Sequence, residues 1–292
     1  MTINKMSSFQ GQKLVGTLYL VPTPIGNLGD MTSRAVETLQ NVDLICAEDT
    51  RNTQKLLNHF EIKTSQISFH EHNTKERIPL LLAKLKEGLN LAQVSDAGMP
   101  SISDPGHELV EACIEAEIPV VPLPGPNAAL TALIASGLTP QPFMFYGFLP
   151  RKHKELNEAL VKLNQQEVTM IFYEAPHRLK KTLQAMGEVF GMDRKIVLCR
   201  ELTKRYEEFL RGSLADAVEF AKDDEVRGEF VVIVDGNHAP NHAEEVLDIS
   251  LEDEVNQKIE QGLKPNAAIK EVAKRRQMKK QDVYNAYHHL TD

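Results

Sequence analysis

The first 120 residues alternate short apolar runs with helical patterns, and this alternation limits the folds open to the chain more than any other feature. Helical patterns include Ser33–Leu39, with Thr32 or Ser33 as its cap, and Lys75–Lys86. Strands that alternate with helices indicate a mostly parallel sheet with helices on both faces. Five apolar runs have the character of buried strands: Leu18–Val21, Asp43–Ala47, Ile67–Phe69, Leu89–Val94 and Pro119–Val121.

A proline-rich stretch, Pro122–Asn127, marks the crossing into a second unit that also mixes strand and helix patterns. A polar, turn-rich linker follows at Asp235–His242, and the remaining sequence has only helical patterns. The sequence therefore predicts an α/β protein with two α/β units, residues 1–125 and 126–240, and a small helical domain at residues 241–292.

Composition narrows the class of protein. The 292 residues suggest about two domains, and 42% hydrophobic residues supply ample core material. No apolar run approaches the roughly 18 residues that span a bilayer, and residues 1–16 lack a signal-peptide pattern, so we expect a cytoplasmic protein without a membrane segment. Cys46, Cys113 and Cys199 lie far apart in apolar contexts, which predicts buried free thiols and no metal site.

The charge distribution is uneven along the chain. A net charge of −8 argues against a protein that coats nucleic acid, but it does not exclude a local basic surface. Acidic residues dominate from Glu244 to Glu260, whereas lysines and arginines dominate from Lys264 to Lys280.

Loops rich in glycine, proline and small residues follow several predicted strands. Such loops let backbone groups approach a ligand closely, and open α/β sheets bind ligands at the carboxyl ends of their strands. The usual nucleotide signatures, GxGxxG after the first strand and GxxxxGK[ST], are missing from the sequence. Five loops of this kind predict a cleft between the two units: Pro22–Asp30, Ser95–Gly106, Pro124–Ala129, Gly147–Arg151 and Glu174–Arg178.

The loop Ser95–Gly106 contains two aspartates with different expected roles. Asp104 directly precedes Pro105, and proline is common at the first helical position, so we expect Asp104 to cap the next helix. Asp96 is then free to accept hydrogen bonds from a ligand. The alternative is that Asp96 itself serves as a helix cap.

Eight segments together resemble the tetrapyrrole-methylase-like superfamily of S-adenosylmethionine methyltransferases. Within that superfamily the similarity is to the bacterial enzymes that 2′-O-methylate a cytidine ribose in the decoding centre of 16S ribosomal RNA. The segments run in order from residue 22 to residue 236: PTPIGNLGD, AEDTR, SDAGMPSISDPG, PGPNAAL, FYGFLPR, FYEAPHR, RELTKRYEEFLRG and GEFVVIVDG.

The resemblance implies two α/β/α subdomains with S-adenosylmethionine in the cleft between them, and a homodimer. Pro24 and Pro124 are expected contacts on this basis, and the alternative interpretation is that these two prolines only stiffen turns. By position, the resemblance places the cofactor against Pro24, Asp96, Gly98, Ile102, Pro124, Asn127, Ala128, Phe148 and Tyr173.

Methyl transfer to a ribose hydroxyl requires an aligned donor and a group that accepts or orients the hydroxyl proton. The candidates are Glu48, Asp49, Glu174 and His177, and the sequence does not select among them. Glu48 and Asp49 are equally suited to begin a helix, and His177 to follow Pro176 at a helix start.

The expected contacts to RNA phosphates are basic residues. Two short helices, Pro265–Ala273 and Asp282–Tyr287, flank a basic turn in a helix-turn-helix pattern, although Gln277 stands where related segments usually have glycine. The alternative is a helical appendage that packs on the enzyme or serves dimerisation. The expected phosphate contacts are Arg51, Arg178, Lys204, Lys274, Arg275 and Arg276.

Three functions remain open at this point. The first is a 16S ribosomal RNA ribose methyltransferase, which gives the basic helices a role. The second is methylation of a small porphyrinoid precursor, and the third is a non-catalytic RNA-binding or ribosome assembly factor that retains the cofactor pocket.

Overall fold

The computed structural model describes residues 15–222, 226–238, 250–260, 262–276 and 278–289. The chain divides into two compact units, Met1–His238 and Ala239–Asp292. Two five-stranded sheets lie in the first unit, on either side of residue 125. The boundaries at 125 and 240 stay predictions, and the second half of the expected linker Asp235–His242 lies outside the described residues.

The first sheet is entirely parallel and has the order β3-β2-β4-β1-β5. All five predicted strands are present, with bounds that differ from the predicted ones by a few residues. Because the strands are parallel, the loops that follow them leave from one edge of the sheet. The strands are β1 (Leu18–Leu20), β2 (Leu44–Ala47), β3 (Gln66–Ser68), β4 (Leu91–Val94) and β5 (Val120–Pro122).

Helices cover both faces of this sheet, as predicted. Ile45 and Ala47 of β2 pack in a buried cluster with residues of two helices, whereas Cys46 between them packs in a second cluster on the other face. This opposite orientation of successive side chains is the normal alternation of a strand. The helices are α1 (Ser33–Asn41) and α2 (Thr50–His59) on the first face, and α3 (Thr74–Lys86) and α4 (His107–Glu115) on the second.

The second sheet is mixed and has the order β6-β7-β10-β8-β9. β6 and β7 are parallel, but β10 is antiparallel to both of its neighbours. The edge strand β9 was not predicted, because its half-buried sequence EFLRGS lacks an apolar run. The strands are β6 (Phe143–Phe148), β7 (Thr169–Glu174), β8 (Lys195–Arg200), β9 (Glu208–Ser213) and β10 (Phe230–Val234).

Alternate residues of β7 and β10 form two cores. Phe172 and Val232 belong to a cluster with three helices, whereas Ile171 and Ile233 pack with a single helix on the other face. The three cysteines are free and buried, which confirms the predicted thiols. The three helices are α6 (His153–Leu163), α7 (Pro176–Phe190) and α8 (Leu214–Phe220), and the single helix is α5 (Ala128–Ser136).

The second compact unit contains α9 (Leu251–Glu260), α10 (Pro265–Arg275) and α11 (Lys280–Tyr287). Ile269, Val272 and Ala273 are buried, as the pattern of the predicted first helix requires. Gln277, where we expected an altered turn, lies outside the described residues. Among the helices of the described chain, none is both long enough and apolar enough to cross a membrane.

Candidate active site

A cavity of about 440 Å³ lies between the carboxyl edge of the first sheet and the second sheet. This volume is typical of a small-molecule site, for which cavities of roughly 300–1,000 Å³ are usual. Its walls come from the loops after β1, β2 and β4, from the start of α5, and from β6, β7, β8 and β10. The predicted cleft is therefore confirmed.

Backbone hydrogen bonds join the loops after β1 and β4. The Thr23 amide donates to the Gly98 carbonyl at 3.0 Å, and the Gly98 amide donates to the Thr23 carbonyl at 3.0 Å. The Thr23 hydroxyl donates to the Ser95 carbonyl at 3.0 Å, and the Ser95 hydroxyl donates to the Gly98 carbonyl at 3.1 Å. Gly98 has a φ of +84°, which a residue with a side chain adopts at a cost. The two loops therefore form one wall of the cavity.

The expected role of Asp104 as a helix cap is wrong. Helix α4 begins at His107 and its N-cap is Gly106, with a φ of +143°. The Gln93 side chain donates to the Pro105 carbonyl at 2.7 Å, so Pro105 is held in the loop before the helix starts. Asp104 consequently lies in the cavity wall.

Three carboxyl groups, those of Glu48, Asp96 and Asp104, line the cavity close to one another. Asp96 accepts hydrogen bonds from the Asp49 amide at 3.1 Å and from the Asn52 side chain at 2.9 Å. Burial raises the pKa of Glu48, and burial with the nearby charges of Glu48 and Asp96 raises the pKa of Asp104 to about 7. Within the described part of the chain, no group of His, Cys, Asp and Glu could hold a metal ion.

The opposite part of the wall is largely apolar and aromatic. Phe148 and Tyr173 meet edge to face with ring centroids 5.7 Å apart, and burial raises the pKa of Tyr173. Ile102 and Ala128 also line the cavity, while the Asn127 side chain caps α5 by accepting from the Leu130 amide at 2.9 Å. Phe148 leaves about half of its surface, 52%, exposed, so it is available to a flat ligand.

Two expected cofactor contacts do not line this cavity. Pro24 lies in a neighbouring pocket of about 260 Å³, which shares Asp96 with the main cavity. Pro124 is exposed and lies outside the residues that line either pocket. The other seven expected contacts line the main cavity: Asp96, Gly98, Ile102, Asn127, Ala128, Phe148 and Tyr173.

Glu174 lines the cavity, but its carboxylate is fully engaged inside the protein. It accepts from the Thr182 hydroxyl at 2.6 Å and from the Ala175 amide at 2.9 Å, and lies 3.3 Å from Nε of Arg178. The Arg178 guanidinium also donates to the Leu149 carbonyl at 2.8 Å, which favours a structural role over a phosphate contact. His177 is exposed in the first turn of α7, outside the cavity lining.

Four of the other expected polar residues have partners on the protein. Asp49 caps α2 and pairs with Arg51 at 2.6 Å, and the hydrogen bonds from Arg51 lower the pKa of Asp49 to about 2. Lys204 lies 2.9 Å from Glu201 and 2.8 Å from Glu229.

Arg276 pairs with Glu254 inside the helical unit. The side chains of Lys274 and Arg275 lie outside the description.

Sequence reasoning missed Asp104, Cys199, Leu202, Glu229 and Val231 as residues of the cavity wall. Glu229 directly precedes β10 and Val231 is its second residue, and β10 runs antiparallel to β7. The beginning of β10 therefore meets the end of β7 at the cavity. Glu229 and Val231 could have been found only from the directions of the strands, which an apolar run does not reveal.

The fold and the site define a class of α/β protein in which a ligand cavity lies between two sheets. The chain belongs to the tetrapyrrole (corrin/porphyrin) methylase family, whose sequence model matches residues 17–218.

Two relatives match nearly the whole chain. It is 54% identical over 283 residues to ribosomal RNA small subunit methyltransferase I of Streptococcus pyogenes serotype M1, covering 97% of this chain and 98% of that protein. It is 50% identical over 289 residues to the protein of the same name from Bacillus subtilis strain 168, covering 98% and 99% of the two chains.

Solved structures show the same fold at low sequence identity. A cobalt precorrin-4 methyltransferase superposes with a TM-score of 0.58 at 16% identity, covering 75% of this chain and 94% of that one. A uroporphyrin-III C-methyltransferase from Thermus thermophilus, solved with S-adenyl homocysteine, gives a TM-score of 0.55 at 17% identity, with 75% and 97% coverage.

Proposed function

We propose that this protein transfers a methyl group from S-adenosylmethionine to the 2′-hydroxyl of a cytidine ribose in the decoding centre of 16S ribosomal RNA. The observation that carries this proposal is the match over 97% of the chain, at 54% identity, to a protein named ribosomal RNA small subunit methyltransferase I. The cavity between the sheets supports it, because a methyl donor and a ribose need one shared, partly enclosed site.

The wall of the cavity suits S-adenosylmethionine, which supplies an activated methyl group on a positively charged sulfur. Phe148 and Tyr173 offer aromatic surface to an adenine ring. Asp96 and Glu48 offer oxygen acceptors for hydroxyl or ammonium groups, and the backbone at Gly98 allows close approach. Lysine, arginine and histidine are absent from the described lining, so it presents no side-chain cation to repel the sulfonium.

The protein's main contribution to the rate is alignment of the hydroxyl oxygen with the methyl carbon. The joined loops after β1 and β4 supply a wall against which both reactants are held. Of the four candidate bases from the sequence, Glu48 is the one whose position best suits acceptance of the hydroxyl proton. Glu174 is engaged by its neighbours, Asp49 caps α2, and His177 lies outside the lining.

The substrate and partner assignments belong to the same proposal. Contact between the helical unit and RNA phosphates is supported by the basic sequence Lys264–Lys280. A homodimer is supported by apolar side chains exposed on α5, of which Leu130 is 48% and Ile134 is 82% exposed. A cytoplasmic location follows from the substrate, since bacterial ribosomes are assembled there.

Tritium transfer from S-adenosylmethionine to small ribosomal subunits, followed by nucleoside mass spectrometry, tests the function. We expect label in 2′-O-methylcytidine of 16S ribosomal RNA. Transfer to a porphyrinoid precursor alone would establish small-molecule methylation instead. Intact cofactor binding with no transfer to any subunit would leave the assembly factor as the better account.

A companion experiment tests the helical unit. Removal of the residues from about Glu244 onward should weaken RNA binding and leave cofactor binding unchanged, because every described residue of the cavity lining belongs to the first unit. An equal loss of RNA binding and of cofactor binding would assign the helical unit a structural role.

A further inference from the structure

We propose that Asp104 accepts the proton of the ribose hydroxyl during methyl transfer. This assignment rests on the proposed function and adds a residue for which the sequence predicted a different role. It is drawn from the position of Asp104 in the cavity wall and from the engagement of the other carboxyl groups there.

The five carboxyl groups of the lining differ in their hydrogen bonds. Asp96 accepts from the Asp49 amide and the Asn52 side chain, and Glu174 accepts from Thr182 and Ala175. The Lys204 ammonium holds Glu229 at 2.8 Å.

The remaining two carboxyl groups are those of Glu48 and Asp104. Glu48 accepts from the Asp96 amide at 3.4 Å, a long hydrogen bond. The carboxyl group of Asp104 has no hydrogen-bond partner among the described residues, and charges and burial alone perturb it. Asp104 is therefore the carboxylate with its acceptor capacity left for a substrate hydroxyl.

Burial of Asp104, together with the negative charges around it, makes it a stronger base than an ordinary carboxylate. Glu48 from the end of β2 and Asp96 from the same loop face it with negative charge, and Tyr173 approaches from β7. Burial and these charges raise its pKa to about 7, so a large part of it is protonated near neutral pH. A general base is most effective when its pKa lies near the working pH.

The proposed step transfers a methyl group from sulfur to oxygen and a proton from the ribose hydroxyl to Asp104. The bond between the ribose oxygen and the methyl carbon forms, the bond between carbon and sulfur breaks with its electron pair left on sulfur, and the hydroxyl proton moves to the Asp104 carboxylate. The neutral carboxyl group then releases the proton to solvent, which restores the base.

The first test measures binding alone. A positive sulfonium near Asp104 lowers its pKa, so S-adenosylmethionine should displace a proton that S-adenosylhomocysteine, whose sulfur is uncharged, does not. Isothermal titration at pH 7 in two buffers of different ionisation enthalpy should show about half a proton more released with the methyl donor, and Asp104→Asn should abolish the difference. The same difference in wild type and Asp104→Asn would contradict the assignment.

The second test measures single-turnover methylation of small subunits as a function of pH. At subsaturating S-adenosylmethionine the wild-type rate should rise tenfold per pH unit and level off at about pH 7, the pKa of Asp104 in the free enzyme. Asp104→Asn should lower the plateau about 100-fold or more, within the 10²–10⁴-fold range of general base catalysis, and lose this inflection. Asp104→Glu, which restores a carboxylate, should recover part of the rate.

Control variants distinguish a failure of the proposed function from a failure of the role proposed for Asp104. Asp193→Asn makes the same change at an exposed site and should match wild type. Wild-type inactivity on every subunit would overturn the proposed function itself. Wild-type activity with an unchanged rate and pH profile in Asp104→Asn would overturn only the role of Asp104, and loss of the inflection in Glu48→Gln instead would transfer that role to Glu48.

Discussion

Two loops that face the cavity from opposite sheets each combine an acidic residue with a proline, yet their carboxyl groups have opposite environments. At the end of β7, Glu174 precedes Pro176 and is surrounded by donors from Thr182, Ala175 and Arg178. After β4, Asp104 precedes Pro105 and has no donor among the described residues. Both loops lead into helices, but only the first is tied to its helix by the acidic side chain.

The difference lies in where each helix begins. Pro176 is the first residue of α7, so Thr182 and Arg178 of the first turns reach back to Glu174. In the other loop the helix begins at His107, beyond Pro105, so its side chains do not meet Asp104. A carboxylate that stabilises a fold and one left available for chemistry can thus arise from similar short motifs.

The largest expected effect is that of Glu174→Ala on stability. The substitution leaves the Thr182 hydroxyl and the largely buried Arg178 guanidinium without their carboxylate. Removal of one partner of a buried pair costs about 3–5 kcal/mol, and urea unfolding should show a loss of that size. Glu188→Ala changes an exposed acid on the same helix and should cost under about 0.5 kcal/mol. Equal losses would mean that the carboxylate of Glu174 has no special role.

Gly106→Ala should disrupt the loop after β4. The new Cβ would lie 1.8 Å from Nε2 of Gln93 at a φ of +143°, so both crowding and backbone strain oppose it. We expect a loss of about 2–4 kcal/mol in unfolding free energy, since the backbone strain costs about 1–3 kcal/mol and the crowding, which falls on the far end of the Gln93 side chain, costs about 1 kcal/mol. Gly137→Ala has a φ of +83° but open space around the Cβ, and should lose only about 1–2 kcal/mol. A smaller loss at Gly106 than at Gly137 would show that the loop relaxes freely.

Asp104→Asn should stabilise the cofactor-free protein above neutral pH. The pKa of Asp104 rises from its ordinary 3.8 to about 7 on folding, so between these values the folded state holds a proton that the unfolded chain has lost. Wild-type stability therefore falls across this window as pH rises, and the asparagine variant avoids that fall.

Thermal unfolding checks this prediction. The melting temperature of Asp104→Asn should exceed that of wild type by a few degrees at pH 8, and the gap should close as the pH approaches 4. A gap that is constant with pH would mean that ionisation of Asp104 is not its cause.

The smallest expected effect on stability is that of Arg51→Ala. Arg51 pairs with Asp49, but its side chain is 87% exposed, and exposed pairs contribute little. The melting temperature should not change measurably. If Arg51 contacts RNA, the salt dependence of RNA binding should weaken by about one phosphate contact, whereas Arg34→Ala on α1 should leave it unchanged. An unchanged salt dependence in Arg51→Ala would remove Arg51 from the RNA contacts.

The sequence predicted the strands of the first sheet because each is a short apolar run between helical patterns, and it predicted that Asp96 and Phe148 face a common cleft. The sequence did not predict features whose position depends on contacts between residues that are far apart in the chain. Helix α4 begins only at His107, beyond Pro105, whose carbonyl accepts a hydrogen bond from the distant Gln93 side chain, and Asp104 therefore stays in the loop that lines the cavity. The half-buried strand β9 has no apolar run, and its pairing with β8 alone defines it.

The paired hydrogen bonds between Thr23 and Gly98 make the two amide protons a natural reporter of the cavity. They form an isolated bridge rather than part of a longer ladder, so separation of the loops exposes both protons to solvent at once. Their protection factors against deuterium exchange should be equal to each other, and exchange at both amides should slow together when a ligand holds the loops closed. The motion of the wall can thus be timed in the intact protein without any label near the site.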